Sequence, residues 1–169
     1  RWAAVDGGPP VLIAGFTAKQ FLKTRSELQL KRFFELGRDA IAELSVTHPD
    51  GTKVELKRAR AGGPLELSNP PAGTTTKQAA VSTMVGTLPN LKAKTFEATT
   101  TLKAAGLVPN QSYRVAVRDT TGAEHVLLLS AETSGANPYA VAVTGALANQ
   151  VATISNFQAL NLQKTAEQL

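Results

Sequence analysis

Cysteine is absent from this chain of 169 residues. Its absence removes disulfides, thiolate metal sites and a cysteine nucleophile together. Histidine is nearly absent. His48 precedes a proline in a turn-rich stretch, and His125 opens an apolar run. Neither sits among Asp, Glu or His at metal-ligand spacing, and neither has a paired nucleophile and orienting acid nearby in sequence. Aromatic residues make up only 5% of the chain. None lies in the basic run "KVELKRAR", where Lys53, Lys57 and Arg58 are expected to face outward. Nucleic-acid sheets interleave stacking aromatics with such charges, so this run reads instead as a solvated or edge-protecting strand. No apolar block approaches the ~20 residues that cross a bilayer. The glycine-rich stretches "DGGPP" and "AGGPL" lack the spacing of phosphate-cradling loops and read as turns. There is no G-x-S-x-G elbow, and the carboxylates are scattered rather than paired. The expectation is therefore no catalytic residue, no cofactor-binding residue and no metal ligand, with any ligand-binding residues unidentified.

What is present begins with charge. Eighteen Lys and Arg outweigh thirteen Asp and Glu, a net of +5. The surplus is uneven: residues 1–60 hold eleven basic against seven acidic residues, and residues 61–169 hold seven against six. A basic N-terminal part suits an acidic partner, a lipid headgroup or a polyanion, although a solvated face is the plainer reading. Nucleic-acid binding of this origin would be non-specific and would fade with salt as counterions are released. The apolar fraction of 43% is enough for a buried core.

Strand patterning dominates. "RWAAVDGGPPVLIAGF" reads as strand, turn, strand, followed by a short helix with Thr17 and Gln20 as a capping pair. "LQLKRFFELGRD" is ambiguous between helix and extended chain, ending at Gly37. In "IAELSVTHPDGTKVELKRAR", Ile41, Leu44 and Val46 lead into Pro49-Asp50-Gly51, and Val54 and Leu56 lead out, which is hairpin chemistry. "PLELSNPP" adds a strand. A helix follows in which Val81, Met84, Val85 and Leu88 recur at helical spacing, with Thr75 and Gln78 as its expected capping box. Gly86 weakens that helix and Pro89 ends it. A second hairpin turns at Gly122, with Tyr113, Val115 and Val117 alternating against Arg114, Ala116 and Arg118. The continuous run Val126 to Leu129 predicts a strand covered on both faces. "PYAVAVTG" and "QVATIS" add strands, and a last helix starts at Ser155 with Gln158 as its capping partner.

The chain also repeats itself. "VLIAGFTAKQFLKT" (Val11 to Thr24) and "ATISNFQALNLQKT" (Ala152 to Thr165) align without gaps, matching Ile13 to Ile154, Phe16 to Phe157 and Lys23-Thr24 to Lys164-Thr165. The two hairpins stand about half that distance apart. The expected architecture is α+β, a mostly antiparallel sheet with packed helices, in two similar ββ(β)α halves. Residues 1–24 are then the tail of a preceding repeat-like unit, and 25–169 one full unit with halves at about 25–98 and 99–169. The chain begins at Arg1, without a visible signal peptide, and reads as a module of something longer. Its first strands, Trp2 to Ile13, are expected to pair with this unit's own sheet or with a neighbouring copy, because an open edge invites aggregation.

Lys31-Arg32-Phe33-Phe34, the hairpin that follows, "LELSNPP", the apolar helix, Gly106-Leu107-Val108-Pro109, "PYAVAV" and "QVATIS" form a series of spaced motifs. From about Leu28 onward this series resembles domain-of-unknown-function family 4340. Two departures are Leu65, where that family often carries Trp, and Ser130 or Ala131, where it carries Gly. The resemblance implies a bacterial, membrane-tethered, extracytoplasmic protein encoded near gliding-motility-type ABC transporter genes, and no known reaction. The expected role is a non-enzymatic accessory or assembly module with protein partners in a membrane complex and no specific nucleic acid. The alternative is a module that binds an anionic ligand, polymer or lipid headgroup through its basic N-terminal part.

Overall fold

The computed structural model describes residues 2–4, 8–12, 14–16, 30–60, 62–73, 75–134 and 137–169. The chain divides into two compact units, Arg1–Leu30 and Lys31–Leu169. In the first, β1 (Trp2–Ala3) and β2 (Val11–Leu12) pair antiparallel as a two-stranded ladder of their own. Among the described residues, the first strands pair with each other rather than with a strand of the main sheet. Each is two residues long, too short to offer a ladder that a sheet edge could extend. The expected helix-capping pair Thr17 and Gln20 lies outside the described residues, as do Ile13 and residues 17–24 of the sequence match.

The second unit is an α+β fold. Eight strands form one antiparallel sheet: β3 (Ile41–Thr47), β4 (Lys53–Arg58), β5 (Leu65–Leu67), β6 (Thr95–Phe96), β7 (Ser112–Asp119), β8 (Glu124–Ser134), β9 (Asn137–Ala142) and β10 (Val151–Thr153). Their order across the sheet is β5-β4-β3-β7-β8-β9-β10-β6. Two helices, α1 (Gln78–Thr87) and α2 (Asn156–Leu162), complete it.

Alternation decides the faces. Leu44, Val46, Val54, Leu56, Val115, Val117, Leu127 and Leu129 turn to one side, where they meet Val81, Met84 and Val85 of α1 and Leu162 of α2 in a single core. Ile41 belongs to that core although it stands three residues before Leu44. A bulge between Ile41 and Glu43 absorbs the extra residue against β7, so both side chains face inward. Phe33 and Phe34 are buried in the same core, and their segment is tied to the chain after α1 by Phe33 N–H to Leu91 O at 3.2 Å and Ala93 N–H to Lys31 O at 2.8 Å. The ambiguous stretch is thus extended and irregular from Leu30, ending in a 3-10 turn at Arg38–Ala40.

The other face is covered over only part of its width. Across β8, β9 and β10, residues 99–110 fold back over the sheet. Ala105 and Leu107 of that segment pack on Val141 and Val151, with Leu128 and Tyr139 alongside. Gly106 takes the left-handed φ of +65° that sets Leu107 into place. The run Val126 to Leu129 is accordingly enclosed on both faces. Over β4, β3 and β7 no described residue of this unit covers the same face.

α1 ends at Thr87 and passes into a 3-10 turn containing Pro89. Its expected capping box is not formed. Lys77, not Thr75, is the N-cap, and its side chain does not cap. The helix entry is held from elsewhere: the Lys77 backbone N–H donates to Leu169 O, and Lys77 Nζ donates to Glu167 O at 2.9 Å. At α2 the expectation holds, with Ser155 as N-cap accepting from the Gln158 N–H.

Candidate functional site

Three places gather polar side chains. The first is the open sheet face. Lys53 and Lys57 of β4, Glu43 and Ser45 of β3, and Arg114 and Arg118 of β7 stand side by side on neighbouring strands. Their charges are matched: Lys53 Nζ lies 2.5 Å from Glu55, Lys57 Nζ 3.5 Å from Glu43, Arg118 Nε 4.0 Å from Glu43, and Arg114 3.3 Å from Glu124. The Lys53 ammonium holds the Glu55 carboxyl below its ordinary range. Beneath them lies a groove of about 310 Å³, and the buried Ser45 Oγ on its floor has no hydrogen-bond partner. Each exposed pair contributes little, roughly 0.2–1 kcal/mol. Together they give a flat polar surface with both signs of charge.

Arg58 departs from its expected outward position. It follows Val54 and Leu56 on the inward side of β4, and its guanidinium closes the sheet corner. Nε donates to Ile41 O at 2.6 Å, Nη2 to Arg38 O at 2.9 Å, and Nη1 to Gly63 O. Arg38 in turn reaches across to α1, donating from Nη2 to the Ser82 carbonyl and to its hydroxyl at 3.0 Å.

The second feature is the pair of histidines, which lie toward opposite ends of the β3–β7 ladder in hairpins of the same geometry. In the first, His48 N–H donates to Thr52 O at 2.8 Å and Gly51 N–H to His48 O at 3.0 Å. In the second, Asp119 N–H donates to Ala123 O at 3.0 Å and Gly122 N–H to Asp119 O at 3.0 Å. Gly51 and Gly122 take φ of +86° and +90°. His48 is buried edge-on against Tyr113 at 5.0 Å, with no partner for its Nε2. His125 meets Asp119: its Nε2 lies 3.1 Å from Asp119 Oδ2, and its ring stands edge-on to Phe34. Asp119 Oδ1 accepts from the Thr121 hydroxyl at 2.6 Å and from the Thr121 and Ala123 amides. The Thr121 hydroxyl foremost, and then His125, hold the Asp119 carboxyl far below the usual carboxylate range.

Sequence reading missed this pair. The signal was an acid at the start of a hairpin turn and a histidine six residues on, diagonally across the ladder, since His125 stands opposite Val117. The carboxylate, not the imidazole, is the central member of the Thr–Asp–His series. A hydroxyl is activated by a base that takes its proton, with the acid behind that base. Here the acid binds both outer groups and clamps the turn. Among the described residues, no group of three or more His, Asp and Glu could hold a metal ion.

The third place is a groove of about 510 Å³ between the helices. Thr83, Gly86, Thr87 and Asn90 line it from α1 and the turn after it. Ser155, Phe157, Gln158 and Asn161 line it from α2. Gln158 Nε2 bridges the two walls by donating to Asn90 O at 2.9 Å. Phe157 is 73% exposed at its rim, whereas Asn161 is 8% exposed and its Nδ2 has no partner.

The motifs of Lys31-Arg32-Phe33-Phe34 and Gly106-Leu107 are thus parts of the fold, one anchoring the core and the other covering the sheet. A family model for a domain of unknown function, DUF4340, matches residues 1–110. The chain belongs to the DUF4340 family. The match takes in the N-terminal hairpin, both motifs and all of α1, and ends before β7. The DUF4340 chain matches no curated protein and no solved structure. Among its described residues no helix is long and apolar enough to cross a membrane.

Proposed function

We propose that this DUF4340 chain is a non-enzymatic, extracytoplasmic accessory or assembly module of an ABC-transporter-linked membrane complex, within a membrane-tethered parent protein. The observation that carries this reading is the uncovered half of the sheet's outer face. Residues 99–110 close the β8–β10 half, and among the described residues of the second unit none covers β4, β3 and β7. A flat face of both charge signs suits a protein surface of complementary pattern, where such charges give orientation and partner choice more than affinity. The alternative of an anionic ligand at the basic N-terminal part finds less support. Lys53 and Lys57 each face a carboxylate, and Arg58 spends its guanidinium on three carbonyls.

The two-halves organisation belongs to the same proposal. β3 and β7 pair at the centre, and from them β4-β5 and β8-β9 run outward in opposite directions. The two hairpin turns share their hydrogen bonds and their glycine conformation. At the wider spacing, Val11–Leu12 and Ala152–Thr153 are both strand, and residues 15–16 and 156–157 are both helical. In a tandem array, β1 and β2 would pair with a neighbouring copy.

The lack of cysteine makes a direct test simple. Single Lys57→Cys and Arg118→Cys variants of the full-length parent, carrying a photoactivatable thiol reagent, are expected to cross-link to an integral transporter subunit in intact cells. Ser82→Cys on α1 should not. Equal yields from both faces, or labelling by a membrane-impermeant reagent only after cell lysis, would refute the reading.

A further inference from the structure

We infer that the groove between α1 and α2 binds a neutral oligosaccharide. Its volume of about 510 Å³ falls in the range of small-molecule sites. Its lining is what distinguishes it. Among the described residues that line it, every side chain is an amide, a hydroxyl or the phenyl ring of Phe157, with Gly86 between them and no charged group. A phosphate, a carboxylate or an ammonium entering this groove would find no counter-charge among the residues that line it. A sugar finds what it needs: a flat apolar ring for its C–H face, and fixed hydrogen-bonding groups for its hydroxyls.

The polar groups are already oriented. Thr83 Oγ1 donates to Ala79 O at 2.9 Å, and Thr87 Oγ1 donates to Thr83 O at 2.9 Å. Each hydroxyl proton is committed to the helix, so each oxygen is left as an acceptor. Asn90 Nδ2 donates to Gly86 O at 3.0 Å, which leaves Asn90 Oδ1 as an acceptor too. Gln158 is held by Asn90 and by the Ser155 hydroxyl. Asn161 Nδ2 is out of water and unpartnered, and a turn of its amide toward the groove would make it the complementary donor. Such an orphan donor costs stability that a ligand oxygen reaching it would restore. Acceptors fixed in place before binding also spare the ligand the cost of ordering them. The exposed Phe157 ring beside them supplies the stacking surface.

The test is a titration of the isotopically labelled full chain, followed by amide chemical shifts. Cellohexaose, maltohexaose and an N-acetylglucosamine hexamer serve as neutral probes, and hexagalacturonate as the charged control. At least one neutral oligomer is expected to move the amides of Thr83, Gly86, Thr87 and Asn161, and the charged control is not. Phe157→Ala should weaken that binding by about three- to tenfold, the worth of one aromatic contact. Asn161→Leu should weaken it similarly without lowering the melting temperature, because it replaces an orphan amide by an apolar group of like size. No response to any neutral oligomer at ~10 mM, well above a millimolar dissociation constant, overturns the proposal. So does equal binding by both variants, or occupation of the groove by an apolar peptide alone.

Discussion

At the scale of single residues, the most informative contact is between Arg38 and Gly86. A Cβ at position 86 would stand 2.6 Å from Arg38 Nη2. Glycine in a helix interior is worse than alanine by about 1 kcal/mol, so propensity alone favours Gly86→Ala. The methyl group would displace the guanidinium from the Ser82 carbonyl and hydroxyl. That loss is of similar size, about 0.5 kcal/mol for each of these two solvent-exposed bonds from one nitrogen. Gly86→Ala is therefore expected to change stability by less than about 0.5 kcal/mol in the native background and to stabilise by about 1 kcal/mol in Arg38→Ala. A double-mutant cycle by urea denaturation reads this directly, and equal effects in both backgrounds would show that the contact is idle. Asp119 offers a test in pH. Its carboxyl is held far below the ordinary range by Thr121 and His125. A depressed folded-state pKa adds stability above the unfolded value near 3.9, which is lost as pH falls through the folded-state value. Asp119→Asn should lower the melting temperature at pH 7, and the gap to the native protein should narrow steadily below pH ~4. A gap that stays constant to pH ~2 would mean that the carboxylate charge does not hold the turn.

At the scale of elements, the helix entries separate what sequence discloses from what it cannot. Ser155 caps α2 through a partner three residues away, and Ser155→Ala should cost about 1 kcal/mol. Thr75 has the same spelling before α1 but does not cap it, so Thr75→Ala should stay within about 0.5 kcal/mol. Shifts of the urea midpoint at unchanged slope would measure both. The difference lies far off in the chain. α1 begins at Gln78 because the Lys77 amide is taken by Leu169 O. A motif confined to four residues is legible; a cap supplied from 92 positions away is not. The strands follow the same rule. Alternation located β3, β4 and β7, a continuous apolar run located β8, and turn chemistry located both hairpins. The bulge at Ile41–Glu43 was written in the uneven spacing of Ile41, Leu44 and Val46, yet only the pairing with β7 shows where the extra residue goes. Of the helical groove, Ser155 and Gln158 were visible as a capping pair, and Phe157 as a member of the match between the two ends of the chain. The opposing wall from Thr83 to Asn90 meets them only through the tertiary fold.

At the scale of the whole molecule, the sheet is built from its middle outward. β3, β7 and β8 are bonded on both sides, and the inward side chains of all three are in the core. The edges are β5 and β6, of three and two residues, and short edges limit pairing with other chains. Protection against hydrogen exchange should follow this order. Exchange at a central amide requires the core to open as a unit, whereas an edge amide is released by local fraying. The amides of Leu44, Val46, Val115, Val117 and Leu127 are therefore expected to be among the slowest to exchange. Those of Leu65 to Leu67 and of Thr95 and Phe96 should exchange at least about tenfold faster. The two faces of the sheet sharpen the test. β8 is covered on both sides, by the helices and by residues 99–110, while the outer side of β3 is open. If covering the outer face adds to cohesion, Leu127 and Leu129 should outlast Leu44 and Val46 when exchange is driven by mild denaturant. Removing the Leu107 plug by Leu107→Ala should erase that advantage without changing the order of the remaining strands. Equal protection of β3 and β8 in the native chain would mean that residues 99–110 shield the sheet without stabilising it.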